Sequence, residues 1–324
     1  MRATRSTGTA EHGTGPMTPL HLQTPLVESA SLSRASGRRV WLKLEALQPS
    51  GSFKIRGIGL ACQAYRERGA QRFISSSGGN AGLAVAYAGR KLGVPVRVVV
   101  PTSSTARARE LLTLEGAEVT VHGDSWQEAN TLAQSLLGPD DAFIHPFDDP
   151  LLWPGHATMI DEVAAVGLRP SGVLVAVGGG GLLSGVIEGL RRNAMAEVPV
   201  FAVETEGAAS LHAALKAGSR VTLDTISSIA TSLGAKQVCE QAFTLAQTHP
   251  LKSLVVSDAD AVRACVRFMD DHRLVVEPAC GAALAPAYSG SAELSTVGDD
   301  LLVIVCGGAT ATAAQLLAWA NQLR

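Results

Sequence analysis

Eight short apolar runs alternate with longer stretches of helical length, and this alternation restricts the fold more than any other feature of the chain. The runs lie at residues 40–45, 72–75, 96–100, 118–122, 142–145, 173–177, 198–203 and 301–305, with Ala- and Leu-rich stretches at 80–92, 105–116 and 126–137 between several of them. A run such as Val173-Leu174-Val175-Ala176-Val177 has no polar face to turn to water, so both of its faces must be covered. That is the condition of a parallel strand with helices on either side. The chain is therefore expected to be α/β, with parallel or mostly parallel sheets and helices on both faces. Its 324 residues are enough for two domains of ordinary size or one large α/β domain. No repeat or linker divides them, so a second domain is expected to form from chain that leaves the first and returns. Residues 52–148 read as the inserted α/β unit, with Pro139 to Pro150 as the return and 17–51 and 149–324 as the larger domain.

Hydrophobic residues make up 46% of the chain and charged residues 17%, which supplies a large core and excludes global disorder. The net charge of -2 offers no electrostatic case for nucleic acid or an anionic membrane. No apolar run approaches the roughly 18–20 residues of a transmembrane helix. Cys62, Cys239, Cys265, Cys280 and Cys306 are scattered without a CxxC pair. That argues against a zinc site and a disulfide framework and fits a reducing, cytoplasmic setting. Residues 1–16, rich in Thr, Gly and Arg, lack the apolar core of a secretory signal and read as a disordered extension. Met17 is an alternative start, and the arginines leave a transit-peptide reading open.

The small residues fall where ligands sit. Ser75-Ser76-Ser77-Gly78-Gly79-Asn80 follows one strand candidate and opens a helix; Gly178-Gly179-Gly180-Gly181-Leu182 does the same after another; Cys306-Gly307-Gly308 follows a third. In open α/β sheets, ligands bind beyond the carboxyl ends of strands. Pro49-Ser50-Gly51-Ser52-Phe53-Lys54-Ile55-Arg56-Gly57 follows the run at 40–45 and places Lys54 at a fourth strand end. A lysine held there among small residues is either an ordinary surface lysine or an amine poised for a carbonyl compound, of which pyridoxal phosphate (PLP) is the commonest cofactor.

Four consecutive glycines at a helix start suit a phosphate, because bare backbone N–H groups approach an anion closely; a packing or flexible loop is the alternative. The run lacks the GK[ST] of a P-loop and the GxGxxG with a following acid of a dinucleotide site. Residues 75–80 suit a substrate carboxylate, and Asn80 suits a phenolate oxygen, although Ser77 or Asn80 also reads as a plain helix cap. Cys306 is either a small core residue or, in a PLP site, a neutral partner for the pyridine nitrogen. Glu277, before Pro278, reads as a structural helix start rather than a catalytic group. His145 and His156 read as structural. HExxH and GxSxG are both absent.

Together these runs resemble the fold-type II PLP enzymes, and within them the serine/threonine dehydratases, closest to the short serine dehydratase and serine dehydratase-like group. The matching stretches run from Gln48 to Gly57, from Ser75 to Gly82, from Pro146 to Pro150, from Gly178 to Leu183, from Val276 to Leu284 and from Val305 to Gly308, in family order. The resemblance implies a larger PLP domain built from both chain ends, a smaller inserted domain and PLP in the cleft between them. Lys54 would be the Schiff-base lysine with Phe53 packing on the ring. Asn80 would bond the ring hydroxyl, Gly178, Gly179, Gly180, Gly181 and Leu182 would hold the phosphate, and Cys306 would face the pyridine nitrogen. Ser77, Gly78 and Ala81 would line the substrate carboxylate pocket. Gly178, Glu204, Ala208, Ser210, Leu233 and Ala235 match the positions that hold K+ or another monovalent cation.

The implied activity is that of an L-serine ammonia-lyase: L-serine to pyruvate and ammonia, with L-threonine giving 2-oxobutyrate. The substrate partner is a small amino acid, and a homodimer is implied. Gly78 stands where serine racemases carry a serine on the opposite ring face, so racemisation lacks its second proton carrier; glycine there points to the dehydratase-like branch. Ser232 replaces a small apolar residue. No regulatory extension follows Arg324, so feedback of the long threonine dehydratases is not expected. β-Replacement of the cysteine-synthase kind, serine racemisation and a PLP-binding regulatory protein stay as alternatives.

Overall fold

The computed structural model describes residues 18–323; the extension expected at 1–16 lies outside them. The chain begins β1 (Leu26–Glu28), α1 (Ala30–Ser36), β2 (Arg39–Lys43), α2 (Lys54–Glu67). It continues β3 (Arg72–Ser75), α3 (Asn80–Leu92), β4 (Val96–Val100), α4 (Ala106–Leu114), β5 (Glu118–Val121), α5 (Trp126–Ser135), β6 (Asp141–Phe143), α6 (Leu152–Ala165). Then come β7 (Gly172–Ala176), α7 (Gly181–Arg192), β8 (Val200–Thr205), α8 (Ser210–Ala217), α9 (Glu240–Thr248), β9 (Leu251–Val256). Last are α10 (Asp258–His272), α11 (Pro278–Ser289), β10 (Asp300–Ile304) and α12 (Ala313–Gln322).

The strands form two sheets, of order β1-β2-β10-β7-β8-β9 and β5-β4-β3-β6. Every pairing is parallel except β1 with β2 at one edge. All residues of β7 and β8 are buried, as strands with both faces covered require. The chain leaves the larger sheet after β2, builds the smaller one and returns at β7. Two large apolar clusters follow this division, one around each sheet.

Two expectations shift. The run at 198–203 becomes a strand only from Val200, because Pro199 has no N–H to give the ladder. Neither β1 nor β9 was expected. β1 has three residues, and β9 is a partly exposed edge strand, so neither carries a buried apolar run. Helix ends obey local chemistry. Gly37 closes α1 and Gly93 closes α3 in the left-handed region, at φ 69 and 68. Ser125 and Glu128 make a capping box on α5, and Pro278 occupies the first turn of α11.

Strand order places the site. In the smaller sheet β4 and β5 extend to one side of β3 while β6 returns on the other. In the larger sheet β8 and β9 extend to one side of β7, with β10 and β2 on the other. The crevice beyond a strand's carboxyl end opens where the order reverses. Residues 76–80 follow β3, 177–181 follow β7 and Cys306 follows β10. Helix α2 packs against both α3 and α6 and links the two layers.

Candidate active site

Lys54 does not stand at a strand end. β2 stops at Lys43, a 3-10 turn at Glu45–Leu47 intervenes, and Lys54 opens α2. The approach is tied to β10 instead: Phe53 N–H donates to the Cys306 carbonyl at 3.1 Å, and Ser52 bridges Gly307. The half-buried Lys54 amine donates to the Pro146 carbonyl at 2.6 Å. Burial lowers its pKa from 10.5 to about 8, against the opposing pull of Cys306, Glu277 and Cys239. Phe53 is buried edge-on against His156, with ring centroids 4.9 Å apart.

Two residues beyond Lys54, the fully buried Arg56 anchors the first turn of α2. It donates to Glu45 at 2.7 and 2.8 Å and to Glu162 at 2.7 and 2.8 Å. Lys43 also pairs with Glu162, so two cations and two carboxylates balance within one buried cluster. His156 adds a further anchor, its Nδ1 accepting from Gly57 N–H at 3.2 Å.

The segment after β6 joins the lysine to the glycine loop. Pro146 receives Lys54, and the neighbouring Phe147 packs under the loop: a methyl group on Gly181 would lie 2.8 Å from the Phe147 carbonyl, and one on Gly179 would overlap its ring. Gly180 has φ +96, a conformation costly for any residue with a Cβ. Among the described residues, none accepts a hydrogen bond from the N–H of Gly179, Gly180 or Gly181. Bare donors at the start of α7 are the chemistry a phosphate requires, so the loop fits the group that the sequence resemblance assigns to it.

Residues 75–80 are not a side-chain cap. Gly79 is the N-cap of α3 and gives no side-chain bond, while Ser77 Oγ accepts from Gly79 N–H at 3.3 Å. Ser77, Gly78 and Ala81 surround this helix start, whose N–H groups face an anion favourably. Asn80 is buried and points elsewhere. Its Nδ2 donates to Glu277 Oε1 at 2.7 Å and more loosely to Ser232 Oγ at 3.4 Å, while its Oδ1 accepts from Ala309 N–H at 3.1 Å. Glu277 sits at the N-cap of α11, yet its side chain caps nothing. Burial pushes its carboxyl up to about 7, partly offset by Ser232, Asn80 and the charge of Lys54.

Cys306 is buried at the end of β10. A hydrogen bond with Cys280, then burial, holds its thiol well above the usual range, so it stays neutral. Of the residues matched to a cation site, Leu233 packs against Gly178 at the start of the glycine loop. A methyl group on Gly178 would lie 2.9 Å from Leu233 Cα, and Ala208 is buried close to Glu204 in the chain, with Ala235 two residues beyond Leu233. Glu204 is fully buried and accepts from Leu211 and His212 N–H at 2.8 Å each. Burial raises its pKa to about 7. Ser210 Oγ is buried without a partner among the described residues. No group of three or more His, Cys, Asp and Glu gathers among those residues to hold a transition metal.

Sequence reasoning missed Arg56, Phe147 and the partner of Glu277. Arg56 and Phe147 stood inside quoted motifs, but nothing local marked their contacts.

The arrangement puts a lysine amine on one side of the Pro146-Phe147 segment and a glycine-rich helix start on the other. A family model described as pyridoxal-phosphate dependent enzyme matches residues 17–307, and the chain belongs to that family. It is 47% identical over 315 residues to an L-serine dehydratase/L-threonine deaminase of Bos taurus, covering 94% of this chain and 96% of that protein. It is 48% identical to a serine dehydratase-like protein of Homo sapiens, covering 94% and 95%. The crystal structure of an L-serine ammonia-lyase from Rhizomucor miehei superposes with a TM-score of 0.90 at 36% identity, covering 94% of this chain and 99% of that one. The fold class expected from the alternation of strands and helices is the one these relatives share.

Proposed function

We propose that the chain is a PLP-dependent L-serine ammonia-lyase that also accepts L-threonine. One observation carries the reading. The Lys54 amine and the free N–H groups of the glycine loop meet across a single short segment, Pro146-Phe147, so an amine and an anion cradle share one cleft. When bound, the cofactor's ring withdraws electrons from the substrate and acidifies its α C–H.

The chain's own residues do the rest. Lys54, with its pKa lowered to about 8, takes the α-proton as a neutral amine near neutral pH. The start of α3, with Ser77, Gly78 and Ala81, holds the substrate carboxylate, and Asn80 with residues 178–182 orients the cofactor. Cys306, a neutral thiol, supplies no charge to the ring nitrogen. Gly78 offers no hydroxyl on the opposite side to return a proton, which favours elimination over racemisation. Threonine differs from serine by one methyl, worth only about 1–3 kcal/mol of discrimination, so the two substrates overlap.

The same proposal includes a smaller domain at 52–148, a K+ or similar ion near Glu204 and Ser210, and a homodimer of the 33.5 kDa chain. A cytoplasmic setting is supported by five free, buried cysteines. Among the described residues no helix is long and apolar enough to cross a membrane.

A keto-acid assay with L-serine and L-threonine tests the activity. Keto acid from either, lost in Lys54→Ala together with the visible absorbance of lysine-bound cofactor, is expected. Turnover of O-acetylserine with sulfide alone would establish a replacement enzyme instead. Bound cofactor without any keto acid would establish a binding protein.

A further inference from the structure

Glu277 is a buried carboxylate at a helix start that does not serve the helix. Its backbone is fixed on several sides. Its N–H donates to the Gly307 carbonyl at 3.3 Å, and its own carbonyl accepts from Cys280 N–H, Gly281 N–H and the Cys265 thiol. Gly308, at φ +135, clears the way for the side chain: a methyl group at 308 would overlap Glu277 Cβ, Cγ and Cδ. The second glycine after Cys306 therefore opens a path for this carboxylate toward Asn80, 197 residues away in sequence.

Asn80 is held at two points and loose at a third. Its oxygen takes the Ala309 N–H at 3.1 Å and one amide N–H goes to Glu277 at 2.7 Å. The second goes to Ser232 Oγ at 3.4 Å, a long bond to an exposed residue. Two anchors fix the plane of a carboxamide, and the remaining N–H can point in only one direction. Burying a carboxylate against neutral donors is costly, and a shape-matched apolar residue at 277 would pack without that cost.

We propose that Glu277 is a positioning residue for the cofactor: it commits one N–H of Asn80 to itself, so that the other turns from Ser232 to the ring hydroxyl. This rests on the PLP reading above. The test is PLP titration of cofactor-free protein, followed by the absorbance of lysine-bound cofactor, in a double-mutant cycle of Glu277→Ala and Asn80→Ala. Each single variant is expected to bind PLP about tenfold more weakly, the size of one hydrogen bond to a charged group. The double variant is expected to bind no more weakly than Asn80→Ala alone, because Glu277 acts through Asn80. Far-UV circular dichroism checks folding, and Glu277→Leu, close in size and without polar atoms, replaces the alanine variant if that one unfolds. Losses that multiply in the double variant, or unaltered affinity in Glu277→Ala, would overturn the role of Glu277 alone. An unsubstituted protein that forms no lysine-bound cofactor would overturn the functional reading and this inference with it.

Discussion

Arg56 and Glu45 form a two-point ion pair, 2.7 and 2.8 Å, with both side chains wholly buried, two residues beyond the lysine that opens α2. The pair sets the position of the Lys54 backbone from outside the cleft. Arg56→Met strands Glu45 and weakens Glu162, at an expected cost of about 3–5 kcal/mol. Urea denaturation measures it. Arg56→Met combined with Glu45→Leu is expected to recover much of the loss, since a buried pair replaced by apolar groups is often neutral. Unchanged stability of the single variant would show that the pair contributes little.

Gly180 takes φ +96, and a methyl group there would overlap Ala242. Gly180→Ala is expected to strain the loop by about 1–2 kcal/mol and to weaken PLP binding at least tenfold. PLP titration and thermal melting separate the two effects. Wild-type affinity would remove the loop from the phosphate site.

The Lys54 amine reacts only when neutral, and its pKa of about 8 lies below the usual 10.5. The neutral fraction therefore grows as pH rises through 8 and saturates above it. The initial rate of PLP capture by cofactor-free protein should rise about fivefold from pH 7 to 8 and level off above 9. A rate still climbing at pH 10 would place the amine near its ordinary value.

Glu204 is a buried carboxylate whose pKa is raised to about 7, and the hydroxyl of nearby Ser210 has no partner among the described residues. A bound monovalent cation stabilises the folded chain by mass action. The melting temperature should rise when potassium replaces a bulky organic cation at equal ionic strength, and Glu204→Ala should abolish that increment. An increment that survives the substitution would exclude this site.

A methyl group on Gly78 would lie 2.8 Å from Ser104 Oγ and 3.2 Å from Val100 Cγ1. A serine at 78 therefore fits only if Ser104 turns away. Gly78→Ser with Ser104→Ala should fold close to wild type and should release D-serine from L-serine, detected by chiral chromatography. Its absence in a folded double variant would show that residue 78 does not face the reacting carbon.

Much of the site was legible because its parts are local. Gly178-Gly179-Gly180-Gly181 and Ser75 to Asn80 follow strand-like runs and precede helices, and the structure puts them at the two points where strand order reverses. The position of Lys54 was not. A lysine after a strand looks the same whether the strand ends beside it or a turn and a helix start intervene, and only the bonds from Phe53 to Cys306 and from Ser52 to Gly307 decide. β9 escaped notice because an edge strand need not be apolar on both faces.

Periodicity and short motifs, read alone, determined the α/β class and the alternating elements and marked the lysine and the glycine run as candidates, since each is encoded within a few neighbouring residues. Tertiary structure alone decided the partners: Arg56 with Glu162 across 106 residues, Lys54 with Pro146 across 92 and Asn80 with Glu277 across 197. A buried charge or amide must find its complement wherever the fold delivers one, and that address is set by sheet order and helix packing, not by the residues beside it.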